Sequence, residues 1–271
     1  MNRLTRVFVR DGVALNVSDS GGSGLPVMLQ HGLCGDAQQT AEVFPDDPRF
    51  RRITMECRGH GASEAGDPAE FSIATFASDL AALIESSGLA PLFIGGISMG
   101  AAIALRLAVR RPELVRGLVI ARPAWVVSAA PDNMKPNAEV GRLLGAYPVD
   151  DARCVFLAGE TARRLAEDAP DNLISLTGFF SRAPLAVTSA LLQAIASDGP
   201  GVSEAEARRI AAPTLIIGTK QDVIHPFVHA EALASLIPDS RLVEVTPKSK
   251  DRARYVQDSS AALVGFLGEY A

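Results

Sequence analysis

The stretch LFIGGISMGAAIALRLAV, residues 92–109, decides the fold of this chain. Residues 92–95 form an apolar run typical of a short buried strand, and residues 100–109 form an alanine-rich segment that predicts a buried helix. Between them, Gly96-Ile97-Ser98-Met99-Gly100 puts a serine on a tight turn from strand to helix. The flanking glycines are needed because side chains there would collide with backbone. The pattern therefore predicts that the Ser98 hydroxyl is presented above the end of a sheet.

The chain on either side of this stretch alternates short β-rich runs with helical patterns. Further strands are predicted at residues 5–10, 13–18, 26–30, 52–56, 118–121, 214–218 and 242–245, with Asp11-Gly12 as a hairpin turn between the first two. Further helices are predicted at residues 72–86, 226–236 and 252–267, with Ser72 as the N-cap of the first. Such alternation predicts an α/β protein with a mostly parallel sheet covered by helices on both faces.

The segment 122–209 interrupts this alternation. Its seven prolines separate short helical patterns, and we predict no strand within it. The simplest domain organisation is therefore one α/β core, residues 1–121 and 210–271, with a helical insert at residues 122–209. We expect the insert to lie as a lid over the carboxyl ends of the strands, where open α/β sheets bind ligands.

Charge and hydropathy exclude several classes of partner. The chain has 26 Lys and Arg against 31 Asp and Glu, a net charge of −5, so nucleic acid is not an expected partner. Residues 86–105 carry no charge, but Pro91 and the glycines at 95 and 96 favour a strand, a turn and a helix over a membrane span. We therefore predict neither a nucleic-acid nor a membrane partner, and we leave monomer and homodimer open.

The cysteines and the N-terminal residues predict a cytoplasmic protein. The motifs of the chain predict neither a metal nor a cofactor. The three cysteines are far apart in sequence and odd in number, which is typical of reduced thiols in a cytosol. The N-terminal segment has no uninterrupted apolar run and is not read as a signal peptide. No metal-ligand spacing is visible, and the Gly-rich turn matches neither a dinucleotide-binding motif nor a P-loop.

Three more motifs accompany the serine turn. Gln30-His31-Gly32-Leu33-Cys34-Gly35 follows a predicted strand, Glu56-Cys57-Arg58-Gly59-His60-Gly61-Ala62-Ser63 follows another, and Pro213-Thr214-Leu215-Ile216-Ile217-Gly218 leads to Asp222. In this order they resemble the motifs of the α/β-hydrolase family, with Glu56 where the family has aspartate. The resemblance covers residues 5–267 and implies a sheet of about eight strands.

The resemblance also implies a set of site residues. Ser98 would be the nucleophile, the backbone N–H groups of Leu33 and Met99 would form an oxyanion hole, and Asp222 would be the acid that orients a histidine. A carboxylate at Asp222 could instead serve only the N-terminus of the helix that follows it. His31 is expected to hydrogen-bond backbone and shape its loop rather than take part in chemistry.

The expected histidine is missing. A serine hydroxyl needs a base, and in this family the base lies on the loop after the last strand, here residues 246–251, which contains no histidine. Three explanations remain open: His225 acts as the base, Lys250 or Lys248 replaces the histidine, or the serine is not activated at all. In the third case the protein would be a small-molecule binder or an enzyme of another reaction class.

Arg122 follows a predicted strand at the edge where ligands bind. If its guanidinium points inward, it would bind a carboxylate on a ligand; a solvated arginine or one that braces the insert is the alternative. The best interpretation of the whole sequence is a hydrolase of an ester, thioester or lactone of a small molecule. Ser98 would be its nucleophile, and Asp222 and His225 would be the acid and a provisional base.

Overall fold

The computed structural model describes residues 4–271 and contains one sheet of eight strands. Its order is β1-β2-β4-β3-β5-β6-β7-β8; β1 and β2 are antiparallel to their neighbours, and the six strands from β4 to β8 are parallel. The strands are β1 (Leu4–Arg10), β2 (Val13–Asp19), β3 (Leu25–Gln30), β4 (Phe50–Met55), β5 (Leu92–Ile97), β6 (Val115–Ala121), β7 (Thr214–Gly218) and β8 (Ser240–Glu244). The predicted architecture is confirmed.

Helices connect the parallel strands. They are α1 (Ala37–Val43), α2 (Ile73–Ser87), α3 (Met99–Arg110), α4 (Lys135–Ala146), α5 (Val149–Ala158), α6 (Glu160–Asp168), α7 (Pro170–Gly178), α8 (Leu185–Ala196), α9 (Glu204–Ala207), α10 (Phe227–Leu236) and α11 (Arg252–Leu267). The helices α4 to α9 lie between β6 and β7, within residues 122–209, which contain no strand. The division into a core and a lid remains a prediction. No helix formed by residues 4–271 is both long and apolar enough to span a bilayer.

Most predicted elements are present, with ends shifted by one to three residues. The strand β7 and the helix α11 match residue for residue. Ser72 caps α2 as predicted, since its side chain accepts a hydrogen bond from the Thr75 N–H. The helix α1 was not predicted because AQQTAEV is short and mostly polar; its one local signal is Asp36, whose side chain caps it by accepting from the Gln38 N–H.

The interior strands of the sheet are buried on both faces. Successive residues of β3 alternate between two apolar clusters: Val27 and Leu29 pack on the side of α11, whereas Met28 packs on the side of α2 and α3. This double burial explains why the parallel strands show continuous apolar runs in the sequence. The parallel arrangement of these strands places the carboxyl ends of β3, β5, β6 and β7 side by side at one edge of the sheet. The predicted site residues follow the strands at this edge.

The turn between β5 and α3 leaves no room for side chains at its glycines. A Cβ atom added to Gly96 would lie 2.2 Å from the carbonyl carbon of Gly100, and one added to Gly100 would lie 2.5 Å from the Gln30 carbonyl oxygen. Both obstacles are backbone and cannot move aside. The turn thus brings the start of α3 against the end of β3, and it holds Ser98 at a φ of +56°.

We expect Gly100→Ala to lower the free energy of unfolding by about 1–3 kcal/mol, because the added methyl group collides with backbone. The matched control is Gly265→Ala in α11, where nothing lies within 4 Å of the added Cβ. That control should raise the free energy of unfolding by about 0.5–1 kcal/mol through helix propensity. Urea denaturation followed by circular dichroism measures both; equal effects of the two variants would contradict the packing argument.

Candidate active site

Ser98 lies at the carboxyl end of the sheet, between β5 and α3. Its backbone is in a strained conformation with φ 56° and ψ −112°, and its N–H donates to the Ala121 carbonyl oxygen at 3.0 Å. The residue is 8% exposed, so its hydroxyl is accessible only through a narrow opening. Within the described chain, the hydroxyl Oγ makes one hydrogen bond, to the Nε2 atom of His225 at 2.8 Å.

His225 is held by a residue three positions before it. The His225 N–H donates to Asp222 Oδ1 at 2.9 Å, and the ring Nδ1 lies 3.0 Å from both carboxylate oxygens of Asp222. A carboxylate accepts hydrogen bonds and cannot donate them when ionised, so it favours the ring form with the proton on Nδ1. In that form Nε2 has a free lone pair directed at the Ser98 hydroxyl.

Of the three explanations for the missing histidine, the geometry favours the first. Among residues 4–271, His225 is the one titratable residue whose side chain lies within hydrogen-bond distance of Ser98 Oγ. Lys250 is exposed to solvent. Lys248 borders the cleft, but its nearest charged partner is Asp171, at 4.0 Å, and it makes no hydrogen bond to Ser98.

Arg122 points inward, but the carboxylate that it binds belongs to the protein. Its Nε and Nη2 atoms donate to Asp222 Oδ2 at 3.0 and 2.5 Å. The same Nη2 lies 3.2 Å from His225 Nδ1, and the guanidinium carbon lies 5.7 Å from the centre of the Tyr255 ring. The sequence left open whether this guanidinium would bind a ligand carboxylate, remain solvated or brace the insert; in the structure it is directed at Asp222. Arg122 still contributes to the wall of the cleft.

Asn172, on α7, is a site residue that sequence reasoning missed. Its side-chain NH₂ donates to Asp222 Oδ1 at 3.0 Å, and its side-chain oxygen accepts from the Val223 N–H at 2.8 Å. A single asparagine in a helical pattern gives no sign of such a contact, because Asn172 and Asp222 are 50 residues apart in the sequence. Asn172 therefore links the insert directly to the segment that carries the acid.

The charges in this group shift one another's pKa values. Burial alone would raise the pKa of the Asp222 carboxyl, but the Arg122 guanidinium and the His225 ring hold that pKa well below its usual range. Burial lowers the pKa of His225; the Asp222 carboxylate opposes this shift, and the Arg122 cation adds to it. At neutral pH the arrangement therefore contains an ionised Asp222 and a neutral His225.

Two backbone N–H groups face the same region. Leu33 borders the cleft, and Met99 is the first residue of α3, directly after Ser98. Within residues 4–271, neither N–H donates to an acceptor in the protein. The positive end of α3 adds to the attraction for an anion at this point.

The loop that carries Leu33 is fixed by buried side chains. His31 Nδ1 lies 2.8 Å from the Gly32 carbonyl oxygen, and His31 Nε2 accepts from the Cys57 N–H at 3.0 Å, so the predicted bracing role of His31 is confirmed. Gln39, on α1, accepts a hydrogen bond from the Gly32 N–H at 2.6 Å. These contacts hold the Leu33 N–H close to the serine turn.

Ser98 and His225 border a cleft of about 260 Å³. Its apolar wall comes from Leu33 and from residues of the insert, chiefly Met134, Leu176 and Phe179. Burial raises the pKa of the nearby Cys34 thiol to about 12, so this thiol is not a competing nucleophile. Among residues 4–271, no His, Cys, Asp and Glu side chains form a group of three or more that could hold a metal ion.

Comparison with known protein families gives one match. The model of a family described as alpha/beta hydrolase fold matches residues 26–249, which include the serine turn, Asp222 and His225. Two similar proteins are RutD of Klebsiella pneumoniae, whose name describes a carbamate hydrolase, and BpoC of Mycobacterium tuberculosis, whose name describes a non-heme bromoperoxidase. RutD is 30% identical over 85% of this chain and 86% of its own length. BpoC is 33% identical over 72% of this chain and 74% of its own length.

Solved structures share the architecture. The enol-lactonase of Burkholderia xenovorans superimposes with a TM-score of 0.73 and 22% identity, covering 97% of this chain and all of its own. An esterase of Thermogutta terrifontis gives the same TM-score and identity over 99% of both chains. At this level of identity the likeness concerns the fold.

The two charged neighbours of His225 should move its pKa in opposite directions. We expect Arg122→Gln to raise the pKa of His225, because a nearby cation is removed, and Asp222→Asn to lower it, because the favourable carboxylate is lost. Titration of the imidazole resonances by NMR measures both shifts, and His225→Gln assigns the resonance among the four histidines. Shifts of the same sign in both variants would contradict the proposed charge arrangement.

Proposed function

Because this chain belongs to the alpha/beta hydrolase fold family, we propose that it is a serine hydrolase that cleaves an ester, thioester or lactone of a small molecule. Ser98 is the nucleophile, His225 the general base, and Asp222 the acid that orients His225. The N–H groups of Leu33 and Met99 form the oxyanion hole. The proposal goes beyond the family assignment in naming both the residues and the bond.

The observation that carries the proposal is the 2.8 Å hydrogen bond between Ser98 Oγ and His225 Nε2. A serine hydroxyl is a weak nucleophile until a base accepts its proton. His225 meets the geometric requirement for a general base, and Asp222 holds its ring from the other side at 3.0 Å. The rival interpretation is a non-hydrolytic protein with an unactivated serine. It gives no role to the hydrogen bonds that link Ser98, His225 and Asp222.

The reaction follows from these positions. Ser98 Oγ attacks the carbonyl carbon of the substrate while its proton passes to His225 Nε2, and the negative oxygen of the tetrahedral intermediate is held by the two N–H groups. When the intermediate collapses, His225 gives the proton to the departing oxygen or sulfur, leaving an acyl group on Ser98. A water molecule, deprotonated by His225, then attacks the acyl group and releases the acid and the free serine.

Arg122 and Asn172 act on the acid. Both donate hydrogen bonds to the Asp222 carboxylate, Arg122 to Oδ2 and Asn172 to Oδ1. This leaves the carboxylate ionised and fixed in orientation, which keeps the proton on His225 Nδ1 throughout the cycle. We assign both as positioning residues, since they act through Asp222.

The dimensions and lining of the cleft support a small substrate. A volume of about 260 Å³ lies near the lower end for ligand pockets, which are typically about 300–1,000 Å³. The apolar side chains of Met134, Leu176 and Phe179 favour a substrate with a hydrocarbon portion. The name of the relative RutD describes a hydrolase of carbamates, which, like esters, thioesters and lactones, contain a carbonyl carbon.

A fluorophosphonate probe and hydrolysis of 4-nitrophenyl acetate test the proposal. We expect the probe to label Ser98 in the unmodified protein and not in Ser98→Ala. His225→Gln should lose labelling and lower kcat/KM by a factor on the order of 10³ or more, because the proton acceptor is removed. Lys250→Met changes an exposed lysine on the loop that usually carries the base, and it serves as the matched control with unchanged activity.

Loss of activity in Lys250→Met together with retention in His225→Gln would reverse the assignment of the base. Absence of labelling and turnover in the unmodified protein, when circular dichroism shows it to be folded, would favour the non-hydrolytic alternative.

The pH dependence of kcat/KM should show an acid limb displaced to low pH. The base must be neutral, so activity falls as the pH drops through the pKa of His225, and that pKa lies below its ordinary value of 6.5. We therefore expect more than half of the maximal activity at pH 6.5 and the midpoint of the decline below that pH. A profile with its midpoint above pH 6.5 would show that His225 does not carry the limiting ionisation.

A further inference from the structure

Lys248 borders the catalytic cleft without a hydrogen-bond partner. It lies on the loop after β8, and its side chain is 22% exposed. The nearest carboxylate oxygen, Asp171 Oδ2, is 4.0 Å away, which is too far for a hydrogen bond. In the part of the chain that the structure describes, the ammonium donates no hydrogen bond, although it can donate three. Its donors therefore remain available to a molecule in the cleft.

Asn137, on α4, is a second polar group in the same cleft that lacks a partner. The residue is 5% exposed, and its side-chain oxygen is buried and accepts no hydrogen bond within residues 4–271. Buried side-chain amides are nearly always hydrogen-bonded, because leaving one unpaired is unfavourable. An amide that contacts a binding cleft and lacks a partner points to a ligand that supplies one.

The charge of the cleft wall favours an anion. None of the residues that line it within the described chain is an aspartate or a glutamate. Two full cations are present, Arg122 and Lys248, and Arg122 is neutralised by its close pair with Asp222. Lys248 is left with one carboxylate, that of Asp171 at 4.0 Å, to which it makes no hydrogen bond. A ligand carboxylate could approach it more closely than Asp171 does.

The unusual position of the base explains why Lys248 is available for binding. In the α/β-hydrolase family, the loop after the last strand carries the catalytic histidine and so faces the serine. Here His225 makes that contact from the segment after β7. The loop after β8 still reaches the cleft, but its side chain there, Lys248, is not needed for proton transfer.

We propose that the natural substrate is an ester, thioester or lactone whose acyl part carries a carboxylate, bound by Lys248, and a hydroxyl or N–H group that donates a hydrogen bond to the side-chain oxygen of Asn137. This inference rests on the proposed hydrolase function and adds the substrate class to it. Lys248 and Asn137 are specificity residues in this account: they hold the part of the substrate away from the reacting carbonyl. The reaction at Ser98 is unchanged.

Two activated esters of the same shape test the substrate class. The mono-4-nitrophenyl ester of adipic acid carries a carboxylate at the far end of its acyl chain. In 4-nitrophenyl 6-methylheptanoate, two methyl groups replace the carboxylate oxygens. We expect kcat/KM for the acidic ester to exceed that for the neutral ester by about tenfold or more, the usual value of a charge-assisted hydrogen bond.

Variants show which residues cause the difference in kcat/KM between the acidic and the neutral ester. Lys248→Met should reduce the ratio of the two kcat/KM values by about tenfold or more, and Lys248→Arg should restore most of it, since the charge returns. Lys250→Met, two residues along the same loop, should leave the ratio as it is. Because each variant is judged by a ratio, a general loss of activity cancels. An equal ratio in Lys248→Met and in the unmodified protein would overturn the proposal.

A binding measurement separates failure of this inference from failure of the hydrolase assignment. Isothermal titration of adipate into Ser98→Ala requires no turnover. Binding that disappears in the Ser98→Ala, Lys248→Met double variant supports the anion site even if neither ester is hydrolysed. Hydrolysis of both esters at equal rates, with no binding of adipate, would refute the anion site and leave the serine hydrolase intact.

Discussion

The hydrogen bonds of one buried carboxylate organise this site. Asp222 accepts from the backbone N–H and the ring of His225, from the guanidinium of Arg122 and from the amide of Asn172. A buried carboxylate is tolerated only when it is paired and hydrogen-bonded, and these four donors meet that condition. They come from three separate parts of the chain: the end of β6, the insert helix α7 and the segment after β7. Removing the carboxylate would therefore leave a guanidinium, an imidazole and an amide without their shared acceptor.

A carboxylate three residues before its histidine can both cap the backbone and orient the ring. The local segment supplies the geometry: the His225 N–H binds Oδ1, which brings the ring Nδ1 to within 3.0 Å of both oxygens. This removes the need for a histidine on the loop after β8, and the absence of one there does not leave Ser98 without a proton acceptor. Arg122 has a structural task here, because burial alone would raise the pKa of the Asp222 carboxyl and the guanidinium opposes that shift.

Sequence reasoning reached the fold and part of the site for identifiable reasons. The strand–turn–helix around Ser98 is local, and apolar runs such as β7 report burial on both faces, so both could be predicted. Asp222 and His225 could be named because they lie close in sequence after a strand. The direction of the Arg122 side chain and the contact of Asn172 could not be predicted, since both depend on how α7 packs against the segment after β7, and packing between distant segments leaves no periodic signal. The helix α1 was not predicted because its sequence is too short and too polar to show an apolar face.

The position of His225 also affects which part of the molecule must stay rigid. The strand β8 is one of the two edge strands of the sheet and pairs with one neighbour only, so it is more prone to fraying than the interior strands. In an enzyme whose base follows that strand, fraying would carry the imidazole away from the serine. In this chain, the proposed base and the proposed orienting acid both follow β7, an interior strand flanked on both sides. If the proposed roles hold, local opening at the β8 edge would weaken substrate binding by Lys248 while His225 and Asp222 keep their positions beside Ser98.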